Sequence, residues 1–357
     1  MEPRATLAEN FRRQALGAEV LGSPLYADLN RRMADDVEAD GPTWRLLEEH
    51  ATAPLGAAYP LRVLGGAHRL ALTGNAPALA RHLASTGGDG DADGTWRALL
   101  ALIDAPPPEV LDALTRPPQT NEIGRSASLI GGFLVVAAET RLPVRALEIG
   151  SSAGLNLRFD RYRYEQADRG YGPPDSRVRF AGLWDAGEPP FDAPLEVVER
   201  RGCDLDPIDP STDDGRITLL SYVWPDQRER FERMAAALDI AAEVPATVER
   251  ADARAWLERR LRERTSGVVT VVFHSIMWQY MPEDVQDATA AVIATAGAEA
   301  TPVAPLAWVR LEPFGHMKFP ELRLTTWPGG QERVLAECSF HVGPVEWRDD
   351  GSIGRSR

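Results

Sequence analysis

Arg145-Ala-Leu-Glu-Ile-Gly-Ser-Ser-Ala-Gly-Leu-Asn-Leu157 is the stretch on which the fold turns. Ala146, Leu147 and Ile149 read as a short buried strand, and Glu148 sits where that strand ends. Gly150 and Gly154 flank Ser151, Ser152 and Ala153, a tight turn that leads into the start of a helix. Glycine takes positive φ and lets a ligand come close to the backbone. The unpaired N–H groups of a helix start then offer donors to a negative group. Two nucleotide-binding turns do not fit. The dinucleotide fingerprint G-x-G-x-x-G, counted from Gly150, puts its second glycine at Ser152 and its third at Leu155. The phosphate loop needs Gly-Lys-Ser/Thr, and the only lysine of the chain is Lys318. What remains is an acid-x-Gly-x-small-x-Gly turn made of Glu148, Gly150, Ser152 and Gly154.

Working outward, Gln119-Thr-Asn-Glu-Ile-Gly-Arg125 leads into the apolar segment Leu129 to Ala138. Asn121 and Glu122 are placed to face a ligand or to cap the helix that follows. Residues 1–118 read as a helical domain. Leu25, Leu29, Met33 and Val37 recur on one helix face, with Pro24 at the start and Ser23 as cap. Further helices are expected over Thr43 to His50 and Leu61 to Leu72. Asp89, Asp91, Asp93 and Gly94 match the first half of a calcium loop, but Leu100 stands where its closing glutamate belongs, so this is a surface loop.

Downstream, Arg161-Tyr-Arg-Tyr-Glu165 and Val178-Arg-Phe-Ala-Gly-Leu-Trp184 alternate as strands do, and read as an inserted β-hairpin at about 160–195. Glu196 to Pro207 is a strand ending in acids. At the end of the second strand of a nucleotide-binding unit an acid bonds the ribose hydroxyls, the role open to Asp204. The separation from the glycine turn is about 50 residues rather than the usual ~20, which the insertion accounts for. Ala246 to Asp252 gives a third strand with an acid at its end. Val268-Val-Thr-Val-Val-Phe273 is rich in β-branched residues, as in a central parallel strand buried on both faces. It delivers His274. A fifth strand, Ala307 to Leu311, delivers Glu312, followed by residues up to His316. Glu321 to Trp327 and Arg333 to Phe340 form an antiparallel pair joined by Pro328-Gly-Gly330. The expected organisation is 1–118 helical, 119–343 Rossmann-like, and a C-terminal tail over 344–357.

Charge narrows the partners. The 39 basic residues face 53 acidic ones for a formal net charge of −14, which argues against non-specific nucleic-acid binding. With 44% hydrophobic residues the chain can bury a core. Cys203 and Cys338 suggest no disulfide framework. No apolar signal core follows Met1, and no apolar run approaches the ~20 residues of a membrane span, so a cytoplasmic location without membrane contact is expected. No His-x-x-His or Cys-x-x-Cys occurs, so no metal site is expected. Ser151 and Ser152 read as turn serines rather than a hydrolase nucleophile.

The pattern of strand ends from 145 to 340 resembles class I S-adenosylmethionine (SAM) methyltransferases, whose first motif is Asp/Glu-x-Gly-x-Gly-x-Gly. The resemblance implies an α/β fold, a doubly wound mostly parallel sheet, here with an N-terminal helical domain and the inserted hairpin. It implies SAM as cofactor, bound by Glu148, Gly150, Ser151, Ser152, Gly154, Asp204, Asp252 and Ala253, with the cofactor's carboxylate on backbone N–H groups near Ser151 to Gly154. Asp252 also has the position of a helix cap. His274 would then be the base, since its unperturbed pKa lies near the working pH, with Glu312 orienting it. Asn121, Glu122, Tyr222, Trp224, Trp278 and Tyr280 would line the pocket of a small-molecule substrate. The rival expectation is a SAM-fold binding or regulatory module without methyl transfer, or an enzyme that uses the cofactor otherwise. The whole chain is also similar to an uncharacterised bacterial family, domain of unknown function 2332. That likeness rests on Pro117 to Arg125, Leu147 to Leu157 with Asp160-Arg-Tyr162, Gly202-Cys-Asp-Leu205, Tyr222 to Gln227, Phe273-His-Ser275 and Trp278-Gln-Tyr280. It implies no particular reaction.

Overall fold

The computed structural model describes residues 2–313, 319–341 and 343–348. They fall into two compact units, one of residues 1–120 with 212–235, the other of 121–211 with 236–357.

The first unit is helical: α1 (Pro3–Val20), α2 (Pro24–Glu38), α3 (Pro42–Leu47), α4 (Tyr59–Leu72), α5 (Pro77–Ala80), α6 (Ala92–Asp104) and α7 (Pro108–Thr115). Prolines open most of these helices because a first-turn residue needs no N–H partner. Ser23 caps α2, its hydroxyl accepting from the Tyr26 N–H at 3.3 Å. Leu29, Met33 and Val37 of α2 are buried with Phe11, Leu47 and Leu70. Asp91 caps α6, and Asp89 pairs with His82, so the acidic loop is spent on turn and cap contacts.

Residues 212–235, which the sequence placed in the α/β domain, belong to this helical unit. The physical reason is a set of contacts of long sequence separation. Asp226 accepts from the Ser23 hydroxyl at 2.6 Å and from the Leu25 N–H at 2.9 Å. The buried His68 ring bonds the Ser221 carbonyl at 3.0 Å through Nδ1. Trp224 lies 5.7 Å from Tyr26, ring to ring. No local pattern announces such pairings.

Among the described residues, the second unit is built on a sheet of nine strands. Ahead of it, α8 (Ser126–Thr140) is buried along most of its length. Strands β1 (Val144–Ile149), β2 (Arg163–Gln166), β3 (Arg169–Tyr171), β4 (Arg179–Ala181), β5 (Trp184–Ala186) and β6 (Val197–Asp204) follow. Then come α9 (Asp213–Ser221), which lies in the helical unit, and α10 (Arg228–Glu243), within which the chain crosses between units. The remainder is β7 (Thr247–Arg250), α11 (Ala253–Arg260), β8 (Val269–Ser275), α12 (Glu283–Ala298), β9 (Leu306–Pro313), β10 (Pro320–Trp327), β11 (Gln331–Cys338) and β12 (Val345–Trp347). The sheet order is β5-β12-β11-β10-β9-β8-β1-β6-β7. The block β7-β6-β1-β8-β9 is parallel throughout, and β9-β10-β11-β12 is antiparallel. The fold is thus α/β with a large, mostly parallel sheet.

Register assigns the faces, because paired residues of parallel strands share a side and successive residues alternate. Leu147 pairs with Val272, which pairs with Trp308, and all three pack with Trp256 and Leu257 of α11 and Ile293 of α12. Glu148 pairs with Phe273, which pairs with Val309. These point to α8, whose Phe133 ring lies 5.1 Å from Phe273.

Several expectations need correction. The segment at 161–184 is not a two-stranded hairpin: β2 pairs antiparallel with β3 and parallel with β4, a three-stranded sheet, while β5 joins the large sheet beside β12. Gly170 lies within β3, paired with Glu165, and Gly172 (φ 90°) follows it, so the β2–β3 return is at residues 167–168. Its aromatics are packing groups: Tyr162 and Tyr164 are fully buried and their hydroxyls bond the Leu155 and Phe159 carbonyls, each at 2.7 Å. After the glycine turn the chain forms a 3-10 segment, Leu155–Arg161, with a kink at Arg158, rather than an α-helix. The tail expected over 344–357 contains β12, which completes the sheet; residues 349–357 lie outside the described residues, as does His316. An apolar run does come close to membrane length. Ile123–Thr140 spans 18 residues with a mean hydropathy of 1.2, and it is 78% buried inside the protein.

Candidate functional site

The carboxyl ends of the parallel strands carry the acids and the histidine. Ligands of open α/β sheets bind beyond these ends. Two clusters form there, on opposite faces of the sheet.

On the α8 face, Glu148 closes β1 and is 2% exposed. Its Oε2 is buried with no hydrogen-bond partner among the described residues. Burial pushes its carboxyl well above the usual range, opposed by Arg158 and reinforced by Asp204. Arg158 is 3% exposed and donates to the carbonyls of Val244 at 3.0 Å and Gly154 at 2.7 Å, and burial lowers its own pKa. Arg125 is a second nearby cation and donates to the Ser275 carbonyl at 3.2 Å. The sequence reading overlooked both arginines as site residues. The segment ending in Arg125 had been singled out, but only the tertiary fold brings either guanidinium to Glu148.

The glycine turn itself is wound by alternating left-handed residues, Gly150 (φ 66°), Ser152 (φ 54°) and Gly154 (φ 68°). Such alternation gathers successive N–H groups into a concavity. Every N–H from Ser151 to Leu155 has a partner within the protein. Ser151 donates to the Cys203 carbonyl at 3.1 Å and Gly154 to the Ser151 carbonyl at 2.7 Å. Ser152 donates to Asp204 Oδ2 at 2.8 Å. Ala153 and Leu155 donate to Asn121 Oδ1 at 3.2 and 3.0 Å. These are the donors expected to receive a cofactor carboxylate; in this structure side chains of the protein accept from three of them and backbone carbonyls from the other two. Ser151 is buried and bonds the Glu148 carbonyl, and a Cβ at Gly202 would run into its hydroxyl. The Asn121 side chain is tied to the turn, and Glu122 bonds its own segment and Asn156. Glu122 accepts from the Gly124 N–H at 2.8 Å through Oε1, and its carbonyl accepts from Asn156 Nδ2 at 3.3 Å. Asp204 holds Ser152 with one oxygen and the Asp206 N–H with the other at 2.9 Å. Asp252 is exposed and caps α11, accepting from the Ala255 N–H at 3.0 Å, with Ala253 as the first helical residue.

On the α11/α12 face, His274 is fully buried and its Nδ1 lies 2.7 Å from Glu312 Oε1. The same oxygen accepts the N–H groups of Met277 at 3.0 Å and Trp278 at 3.3 Å. An oxygen that accepts two backbone N–H groups accepts from the ring as well, so Nδ1 carries the hydrogen and Nε2 is the nitrogen left to take a proton. Among the described residues, Nε2 and Glu312 Oε2 are both buried without a partner. Trp278 stacks on the imidazole at 4.8 Å and Trp308 tilts toward it at 5.9 Å. Met277 links the two clusters, since a Cβ at Gly150 would lie 2.8 Å from its Cγ.

The four aromatics divide between the two units. Tyr222 and Trp224 lie in the helical unit, Trp224 in its core and Tyr222 against Gly65. Trp278 and Tyr280 lie in the sheet unit, Trp278 over His274 and Tyr280 68% exposed. A groove along α11 and α12, lined by Arg254, Glu258, Leu261, Val292 and Thr295, contains none of these site residues. Among the described residues no cluster of His, Cys, Asp and Glu has the arrangement of a metal site.

With this geometry in hand, comparison supplies the family. The chain belongs to the family described as an uncharacterised protein conserved in bacteria (DUF2332), whose model matches residues 8–347. No curated protein matches it.

Proposed function

We propose that the protein is a SAM-dependent methyltransferase with a class I-like sheet unit, acting on a small-molecule acceptor. The observation that carries this reading is the succession of acids at the ends of three neighbouring parallel strands: Glu148 next to last in β1, Asp204 at the end of β6 and Asp252 after β7. Supporting it, the parallel block has the 3-2-1-4-5 order of nucleotide-binding α/β units when its strands are counted along the chain without the insertion.

The residues fit an adenosyl cofactor at its hydroxyl-bearing and cationic parts. Asp204 and Asp252, with Ala253, would hold ribose and adenine. The unpartnered Oε2 of Glu148 is a buried acceptor suited to an amino group. When bound, the cofactor supplies an activated methyl group. Glu312 keeps the His274 ring in the tautomer whose Nε2 can receive the acceptor's proton. Trp278, in the short turn Trp278–Tyr280, stacks on that ring.

The complete burial of His274 favours a second reading, a SAM-fold binding or regulatory module without methyl transfer. Isothermal titration of the protein with SAM and with its demethylated product tests both, with Asp252→Ala as control because Asp204 also holds the turn. The expected result is binding of both ligands, weakened by the substitution. No binding of either sinks the cofactor assignment. If binding is found, an acceptor screen with His274→Ala separates the readings: lost methyl transfer with intact cofactor binding supports the enzyme, and unchanged function supports the module.

A further inference from the structure

Asn121 has a conformation that asks for a reason. It is 8% exposed, and its φ of 33° lies in the left-handed region, tolerated by Asn more readily than by most residues. Its side-chain oxygen sits between the N–H groups of Ala153 and Leu155. In a concavity wound by alternating left-handed residues, this is where an anionic oxygen of a ligand would otherwise lie. Asp204 Oδ2 fills the neighbouring position on Ser152.

We infer that Asn121 is a specificity-determining residue. With Asp204, it closes the anion nest of the glycine turn from within, so the rim rejects pyrophosphate-bearing nucleotides and recognises its ligand through carboxylates instead. The inference rests on the cofactor-site reading above and sharpens it. A dinucleotide bound at such a turn places its pyrophosphate on backbone N–H groups. Here those groups are spent. A ligand bearing hydroxyl and amino groups meets Glu148, Asp204 and Asp252 without needing them.

The test begins with no ligand present. In amide hydrogen exchange of the full chain, Ala153 and Leu155 are expected to be protected. Asn121→Gly, which accepts the left-handed φ without strain but lacks the acceptor, should lower their protection about tenfold, the equivalent of one hydrogen bond. The Ser151 amide, held by Cys203, should keep its protection. Asn121→Asp retains an acceptor and should restore the protection of Ala153 and Leu155. Equal exchange of these two amides in the natural protein and in Asn121→Gly overturns the inference. A second arm titrates inorganic pyrophosphate and follows amide shifts. Unmoved Ala153 and Leu155 signals in the natural protein are expected, and shifts at those two amides overturn the closed nest. Neither arm uses SAM, so failure of the cofactor assignment and failure of this inference are told apart.

Discussion

Glu148 and Glu312 are both acids at the ends of parallel strands, 2% and 3% exposed, yet the fold treats them in opposite ways. Glu312 lies on the α11/α12 face, where one oxygen receives His274 and the Met277 and Trp278 N–H groups. Among the described residues each glutamate leaves its Oε2 without a partner, but Glu148, on the α8 face, has no counterpart of those three donors and is pushed toward its neutral form by burial. The difference teaches that burial alone does not define an acid's role. Donors supplied from other elements make Glu312 an organiser of local structure. Their absence leaves Glu148 a buried acceptor with unmet capacity, a costly state for a fold to keep without use.

The largest test of this contrast is Glu312→Ala. It removes the acceptor of three donors, and at roughly 1–3 kcal/mol for each buried donor left unpaired the loss should be about 4 kcal/mol in urea unfolding. A loss below about 1 kcal/mol would erase the distinction between the two glutamates. Glu148→Gln should move stability the other way. A carboxyl whose folded pKa is raised contributes its stability below the unfolded pKa of about 4.5 and loses it as pH rises through the folded value. The natural protein should therefore lose stability from about pH 4.5 upward relative to the glutamine variant. Unfolding free energies at acid and at neutral pH check this, and a difference that does not change with pH breaks the comparison.

Asp252→Ala is expected to cost about 1 kcal/mol, because the carboxylate caps α11 whatever else it binds. An effect on ligand affinity larger than this stability loss would mark a second role. The smallest change is expected from Tyr280→Ala, within about 0.5 kcal/mol by thermal unfolding, since the ring is 68% exposed. A larger destabilisation would mean that the short turn carrying Trp278, which stacks on His274, depends on it.

The parallel strands were legible because a strand buried on both faces reads as a run rich in β-branched residues. Val268 to Phe273 announces β8 in this way, and the register then aligns it with β1 and β9. The glycine turn was legible from its residue types, and its left-handed positions fall at Gly150, Ser152 and Gly154. The second left-handed residue is a serine, so residue type alone did not mark it. What closes the turn was not legible. Asn121 is 32 residues from Ala153, and Asp204 is 52 residues from Ser152, distances over which sequence spacing carries no geometric information. The insertion misled for a related reason. Alternation identifies a strand but not its partner, and β2 pairs with both a sequence neighbour and a more distant strand.

The sequence by itself determined the α/β class, the helical N-terminal region, the acids and histidine at successive strand ends, and the position of the turn, because each follows from local periodicity and residue chemistry. Only the tertiary structure decided that 212–235 leave the α/β unit, that Glu148 and His274 face opposite sides of the sheet, and that the N–H groups of the turn are already filled. These depend on register and on hydrogen bonds between distant segments, which exist only once the chain has closed on itself.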